Sequence, residues 1–479
     1  MIEGLKPYAE YKESGQEWLG SIPKHWSVLP NRALFDEVKD RNHPKEEMLS
    51  VTITRGIVRQ KVLLDGSSKK DSSNFNKRAY KLVQPHDIAY NKMRAWQGAL
   101  GASTLRGIIS PAYVVMRPRK EANPWFYHNL YRTPSFAKEA ERWSYGITSD
   151  MWSLRPEHFK VIGSVLPPPD EQAAIVRFLG HANRKIDGFI RAKRKLIGLL
   201  NEQKQAIIHH AVTRGLDLDV PLKPSGIPWL GDIPKHWEVR RLRNIVRRIE
   251  QGVSPQAAGF LADGDSWGVL KSGCVNHGTF RQTEHKQLAK DFEIDPNIVV
   301  KVGDVLISRA CGSPKLVGSV GKVRTLDYKL ILSDKTFRAA FRPFVDSDFM
   351  VYAMNGVYYR LQVEQAISGA DGMANNLPLS ELRSFIFAIP PFAEAAEIAS
   401  QLDAELARFN TAIARTEREM ALMQEYRTRL TADIVTGKLD VREAAAKLPD
   451  LPADPAAELF TGESPEHTDI LDEIEPEES

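Results

Sequence analysis

Apolar residues in one stretch of this chain recur at alternating steps of four and three: Ile175, Leu179, Ala182, Ile186, Phe189, then Leu196, Leu200 and Ile207. That is a heptad seam, the pattern of a helix lying against another helix. The stretch opens with Pro167-Pro168-Pro169-Asp170-Glu171-Gln172 and closes with Val212-Thr213-Arg214-Gly215-Leu216-Asp217. About 44 residues at about 1.5 Å of rise make a rod on the order of 65 Å long. A second rod follows 223 residues later with no gap in register. Pro167 maps to Pro390, Glu171 to Glu394, Ile175 to Ile398, Leu179 to Leu402, and Val212-Thr213 to Val435-Thr436. Two rods of one pattern are expected to pair and to set the distance between two other domains.

A second repeat precedes the rods. Ser14-Gly15, Trp18-Leu19-Gly20 and Ile22-Pro23-Lys24-His25-Trp26 return as Ser225-Gly226, Trp229-Leu230-Gly231 and Ile233-Pro234-Lys235-His236-Trp237. Ten of thirteen positions are identical at an offset of 211, so the chain is an internal duplication. Each copy is a short Trp-rich arm, a mixed segment and a rod. The arm, with its Pro and Gly, reads as an extended clasp whose tryptophans bury against another element; stacking of those rings on nucleic-acid bases is the alternative.

In the first mixed segment, strands are expected at Met48–Ile53, Gly56–Leu63, Asp87–Asn91 and Ile108–Met116. One helix is expected over Pro124–Trp143, then a return through Met151–Leu154 and Val161–Leu166. The second segment has the same order, with a helix over Ser347–Ile367 and about twelve extra residues. The resulting division is 1–165 (arm and first mixed domain), 166–217 (first rod), 218–388 (second arm and mixed domain), 389–440 (second rod) and 441–479 (an acidic tail that reads as disordered).

Charge changes the picture. The net charge is +4, but residues 450–479 hold eleven acids and no Lys or Arg, so the remaining chain carries +15. A basic body fits a polyanionic partner. No apolar run reaches the roughly 18 residues a bilayer span needs, and the N-terminus has no apolar signal core, so a cytoplasmic location without membrane contact is expected. Cys274 and Cys311 stand without CxxC spacing and read as reduced structural thiols.

Motifs of chemistry are missing. Ile389-Pro390-Pro391-Phe392 has Ile where an adenine methyltransferase loop needs Asp or Asn. Gly318-Ser319-Val320-Gly321-Lys322 lacks the leading glycine and the hydroxyl of a phosphate loop. His209-His210 are adjacent on a helix and point apart, unlike metal ligands. The chain is expected to catalyse nothing and to bind no cofactor or metal. What remains are polar clusters. The first segment carries Asn74–Tyr80, with Lys77 and Arg78, and Asn91-Lys92-Met93-Arg94-Ala95-Trp96-Gln97-Gly98. The second carries Lys271, Asn276, Arg281 and Arg309. Arg can hold guanine, and Asn or Gln adenine, through paired hydrogen bonds. Lys and further Arg would meet phosphates. An ordinary solvated surface is the plain alternative at each position. As groups, these clusters favour double-stranded DNA.

The arm W-L-G-x-I-P-x-x-W, the rod opening L-P-P-P-D-E-Q-A-A-I, the closing V-T-R-G-L-D, and Asn91–Gly98 followed by Gly107-Ile108-Ile109-Ser110-Pro111-Ala112-Tyr113 together resemble the specificity subunits of type I restriction–modification systems. The likeness runs to about Glu443. It departs at the second rod, where Ala395 stands in place of Gln, and in the acidic tail. The resemblance implies two α/β target-recognition domains joined by two long antiparallel coiled-coil helices, related by a pseudo-two-fold axis. It implies that each domain reads half of a split DNA site and that the rods set the spacer and dock two methyltransferase subunits. Those partners would hold S-adenosylmethionine, and ATP-dependent restriction subunits would use ATP and Mg. A coiled-coil scaffold with no DNA partner is the competing expectation.

Overall fold

The computed structural model describes residues 5–64, 77–146, 152–217, 219–367 and 375–449. The chain divides into two compact units: Met1–Arg194 with Glu417–Ser479, and Lys195–Thr416. The expected rods are single helices, Pro169–Arg214 and Phe392–Val435. Each contributes to both units. Proline suits the first turn of a helix, where its missing N–H would have no partner. Gly215 and Gly437 follow the helix ends at φ +76° and +80°, a conformation that favours glycine.

In the first unit the opening half of one long helix lies against the closing half of the other. Asp187 pairs with Arg427 and Lys193 with Glu419 at 2.6 Å, so the numbers rise on one helix as they fall on the other. In the second unit Ile208, Ala211 and Val212 share a core with Ile398, Leu402 and Leu406. The seam differs from the heptad expectation beyond Ile186. Ile190 and Ile208 are buried where Phe189 and Ile207 were expected, and Leu196 is 40% exposed. A straight helix has 3.6 residues per turn and drifts by about 20° per heptad, so the buried stripe moves one residue along.

Each unit is built on a four-stranded antiparallel sheet with one order. In the first it runs Phe35–Val38, Tyr113–Pro118, Ile88–Asn91, Leu100–Ala102; in the second, Val246–Gln251, Thr336–Phe341, Val305–Ser308, Val320–Lys322. Four differences from the sequence reading are local. Ile108–Met116 is not one strand: Gly107–Ile109 pairs with Lys81–Val83, a turn closes from Tyr113 N to Ser110 O at 3.0 Å, and Tyr113–Pro118 enters the other sheet. Pro111 has no N–H to continue a ladder. Gly56–Leu63 is a strand only to Arg59, where its partner begins at Leu49; the unpaired remainder coils into helix Gln60–Leu64. The helix expected over Pro124–Trp143 is two, Pro124–Tyr131 and Pro134–Arg142, the second capped by Thr133 Oγ1. Ser347–Ile367 likewise splits into Ser347–Ala353 and Val357–Ala366. The second unit adds a sheet in which Ala257–Ala258, His285–Leu288, Trp267–Leu270 and Lys329–Ile331 lie in that order. Among the described residues no helix is long and apolar enough to cross a membrane.

Each arm buries its second tryptophan, as the clasp reading expects. Trp26 and Trp237 are fully buried, each in its unit's core. The first turns of the rods hold the arms in place. Glu171 accepts from His25 Nε2 at 2.8 Å and from the Tyr8 hydroxyl; Glu394 accepts from His236 Nε2 at 2.7 Å and from Trp237 Nε1 at 2.9 Å.

One buried histidine ties the first sheet to its helix and sets an acid limit. His128 Nδ1 accepts from Ala102 N at 3.1 Å, which requires a neutral ring. Burial, with Arg132 nearby, pushes the imidazole down to about 3. Its folded value lies below the ordinary one, so stability is full above about pH 6.5 and is lost as pH falls from there toward 3. The expected loss is about 3 kcal/mol at pH 4. Acid unfolding followed by hydrogen exchange in the first unit should show this slope, and His128→Gln should flatten it; an unchanged slope would assign the acid limit elsewhere.

Candidate nucleic-acid interface

The central sheet ends at the loop that the sequence singled out. Strand Ile88–Asn91 finishes there, and Gly98 at φ +95° turns the chain back toward Leu100. Asn91 is buried, and its Oδ1 accepts from Met93 N at 3.0 Å. Arg94 N donates to Asn91 O at 3.1 Å, and Ala99 N donates to Arg94 O at 3.1 Å. Trp96 Nε1 donates to Met93 O at 2.8 Å, and its ring meets Trp152 edge-on at 5.7 Å. Asn91 and Trp96 therefore build the loop: a side chain at the end of a central strand is covered by the sheet's neighbours. Lys92 and Arg94 are half-buried on this loop, and Gln97 is exposed.

Lys77 and Arg78 lie on the short turn Lys77–Ala79, Arg78 exposed. The Asn74–Asn76 part of that cluster lies outside the described residues. Asn42, at φ +69°, donates its N–H to Arg78 O at 3.0 Å, and Arg41 bridges Lys81. Residues 40–42 thus run beside 78–82 and bring in a cation that sequence reading missed. No local signal marks Arg41, because the pairing spans some forty residues of chain.

In the second unit, Lys271, Asn276 and Arg281 share one loop between strands Trp267–Leu270 and His285–Leu288. Lys271 N donates to Glu284 O at 2.9 Å, and Arg281 N to Cys274 O at 2.7 Å. Among the described residues the buried Asn276 Oδ1 has no hydrogen-bond partner. His277 takes φ +60° beside it. Arg309 belongs to a different stretch, although Ala310–Cys311 runs against Ser272–Gly278. Its guanidinium donates to Asp334 O at 3.0 Å and lies over the Phe337 ring. Burial pushes the Cys274 thiol up to about 12, an inert thiol. Among the described residues, no three His, Cys, Asp or Glu side chains converge as a metal site requires.

The two loops hang on matching backbone contacts. Asn91 N donates to Ala99 O at 3.0 Å, and Ser308 N to Ser319 O at 2.8 Å. Lys92 O accepts from Leu154 N at 2.9 Å, and Arg309 O from Leu377 N at 2.9 Å. Side chains differ while the frame is kept.

No family model matches the chain. The MjaVIII type I restriction enzyme specificity subunit of Methanocaldococcus jannaschii is 24% identical over 389 residues, covering 79% of this chain and 85% of that one. The EcoKI specificity subunit of Escherichia coli K12 is 21% identical over 472 residues, covering 91% and 97%. A chain from a solved type I restriction–modification system superposes with a TM-score of 0.57 at 14% identity, over 86% of this chain and 98% of that one. This last likeness speaks for the fold alone, a two-domain α/β architecture with long helices. Over most of its length the chain is similar to type I restriction enzyme specificity subunits.

The departure at the second rod has a visible consequence. Gln172 is fully buried; its Oε1 accepts from Asn123 N at 2.9 Å, and its Nε2 donates to Glu121 O at 3.0 Å and Pro167 O at 2.8 Å. Those bonds fasten the helix start to the cap of Pro124–Tyr131. Ala395, also buried, replaces them with apolar contact alone. The Gln is therefore a packing device of the first unit.

Proposed function

We propose that the chain is a specificity subunit that reads double-stranded DNA in two halves, one with each α/β unit, and itself catalyses nothing. The observation that carries the reading is the pair of matching frames with unlike loops, Asn91–Gly98 in one and Ser308–Ser319 in the other. A duplicated frame with different surfaces suits two different targets. On this reading the chain is an internal duplication about a pseudo-two-fold axis, with recognition domains at 1–165 and 218–388. Residues 166–217 and 389–440 form an antiparallel coiled coil that sets the unread spacer and docks two methyltransferase subunits. Those partners bind S-adenosylmethionine and methylate adenine, and ATP-dependent restriction subunits use ATP and Mg.

The candidate residues divide into two roles. Asn91, Trp96 and Arg309 position backbone. Lys92, Arg94, Gln97, Lys77 and Arg78 in the first unit, and Lys271, Asn276 and Arg281 in the second, are the contacts to DNA. Mapping methylated adenines by long-read sequencing, in cells that carry the chain with its partners, tests this. Arg94→Ala should relax or weaken reading of one half of the site and leave the other half and the spacer unchanged. A discrimination loss of about 1–3 kcal/mol is expected if Arg94 meets a base, and a uniform loss with a shallower salt slope if it meets a phosphate. An unchanged map would confine Arg94 to the loop's own structure. A scaffold without a DNA partner would show no steep salt dependence in a shift assay.

A further inference from the structure

One cation at this interface sits where cations are rarely kept. Lys81 is 7% exposed. It opens strand Lys81–Val83, and its ammonium donates to the Tyr113 carbonyl. Among the described residues it forms no ion pair with a carboxylate. Among the charged groups around it are Lys92, Arg41 and Lys39, and the acid Glu37. Glu37 is already held by Lys160 at 2.7 Å and Lys39 at 3.4 Å. Arg41 is its antiparallel neighbour across the bridge. Tyr113, the residue its ammonium bonds, stands opposite Asn91 in the sheet. The buried cation therefore lies at the root of the Asn91–Gly98 loop.

A buried charge among like charges is costly unless a counter-ion completes it. We propose that Lys81, flanked by Arg41 and Lys92, is the seat for one backbone phosphate of the bound duplex. This rests on the DNA-reading function proposed above and adds to it a fixed point. A phosphate held at the root of the loop sets the register in which the loop's outer side chains meet base edges, while Lys81 itself reads no base. Lys81 is thus a positioning residue.

The seat has a signature that ordinary surface lysines lack. Burial and the neighbouring cations push the Lys81 ammonium down to about 8. A phosphate beside it restores the ordinary lysine value of about 10.5. Below pH 8 both free and bound forms hold the proton, and pH matters little. As pH rises above 8 the free form loses its proton while the bound form keeps it, so binding takes up a proton and weakens.

The test is the affinity of the full chain for a short duplex of random sequence, and for one carrying its methylated site, at fixed salt from pH 7 to 9. The wild-type chain should bind about tenfold more weakly at pH 9 than at pH 7. Lys81→Arg, which stays charged throughout, should bind with no such slope. Lys81→Met should bind more weakly at pH 7 and also without slope, and thermal melting will show whether each variant is folded. If Lys81→Arg does not fold, the wild-type and Lys81→Met profiles decide alone. A wild-type affinity flat across this range, or a slope that survives Lys81→Met, overturns the seat. A slope on both duplexes with no preference between them keeps the seat and removes the sequence-reading function. A preference without a slope does the reverse. No binding to either duplex removes both.

Discussion

Gly437→Ala should cost the first unit about 2–5 kcal/mol. Two terms add. The residue sits at φ +80°, where an L side chain costs about 1–2 kcal/mol. A Cβ there would also lie 2.3 Å from Pro23 Cδ and 3.0 Å from Trp26 Cζ3, so arm and helix end must separate. Overpacking of that kind costs about 1–3 kcal/mol. Gly188 provides the control. It lies inside helix Pro169–Arg214 with open space where its Cβ would be, and Gly188→Ala should stabilise by about 0.5–1 kcal/mol. Gly215→Ala, at φ +76° but with its nearest neighbours at 3.3 and 3.4 Å, should fall between them. Hydrogen exchange resolved by peptide is the measurement. Lost protection around Trp26 and Leu430 with the second unit intact is the expected pattern, and equal effects for Gly437→Ala and Gly188→Ala would show that the arm does not clasp the helix end.

The clasp also shows what the sequence could and could not disclose. The repeats made arms and rods legible, because His25 and His236, like Glu171 and Glu394, recur at fixed offsets. That each histidine touches its glutamate was not legible, since the partners lie 146 and 158 residues apart. The same limit hid Arg41. Strand positions were found where alternation is strong, but Ile108–Met116 looked continuous because apolar strand formers stand on both sides of Ser110-Pro111-Ala112, where the chain changes sheets. Side-chain type suggested Asn91 and Trp96 as base readers. Type alone cannot distinguish an amide that meets a base from one that caps its own loop; burial can. The reverse holds for Lys81, which nothing in its sequence neighbourhood singles out.

Deleting Leu196–Glu202 from the first long helix should leave both half-sites unchanged and alter the gap between them, or else abolish assembly. The proposal that helix length sets the unread spacer makes this quantitative. Seven residues carry about 10 Å of rise, which corresponds to about three base pairs at about 3.4 Å per step. A seven-residue deletion also keeps the apolar stripe on one face to within about 20°. This stretch tolerates removal better than the ends do: Leu196 and Leu199 are 40% and 49% exposed, whereas Ile175 and Leu179 are buried in the first core. The cross-helix contact between Lys204 and Asn410, at 2.5 Å, lies just beyond the deletion. Removing Glu397–Asp403 would instead take out Ile398 and Leu402, which are buried in the second unit's core, and should unfold that unit. Methylation maps read the outcome directly. New half-site sequences with the old gap would mean that the helices position nothing and that recognition and spacing both reside in the α/β units.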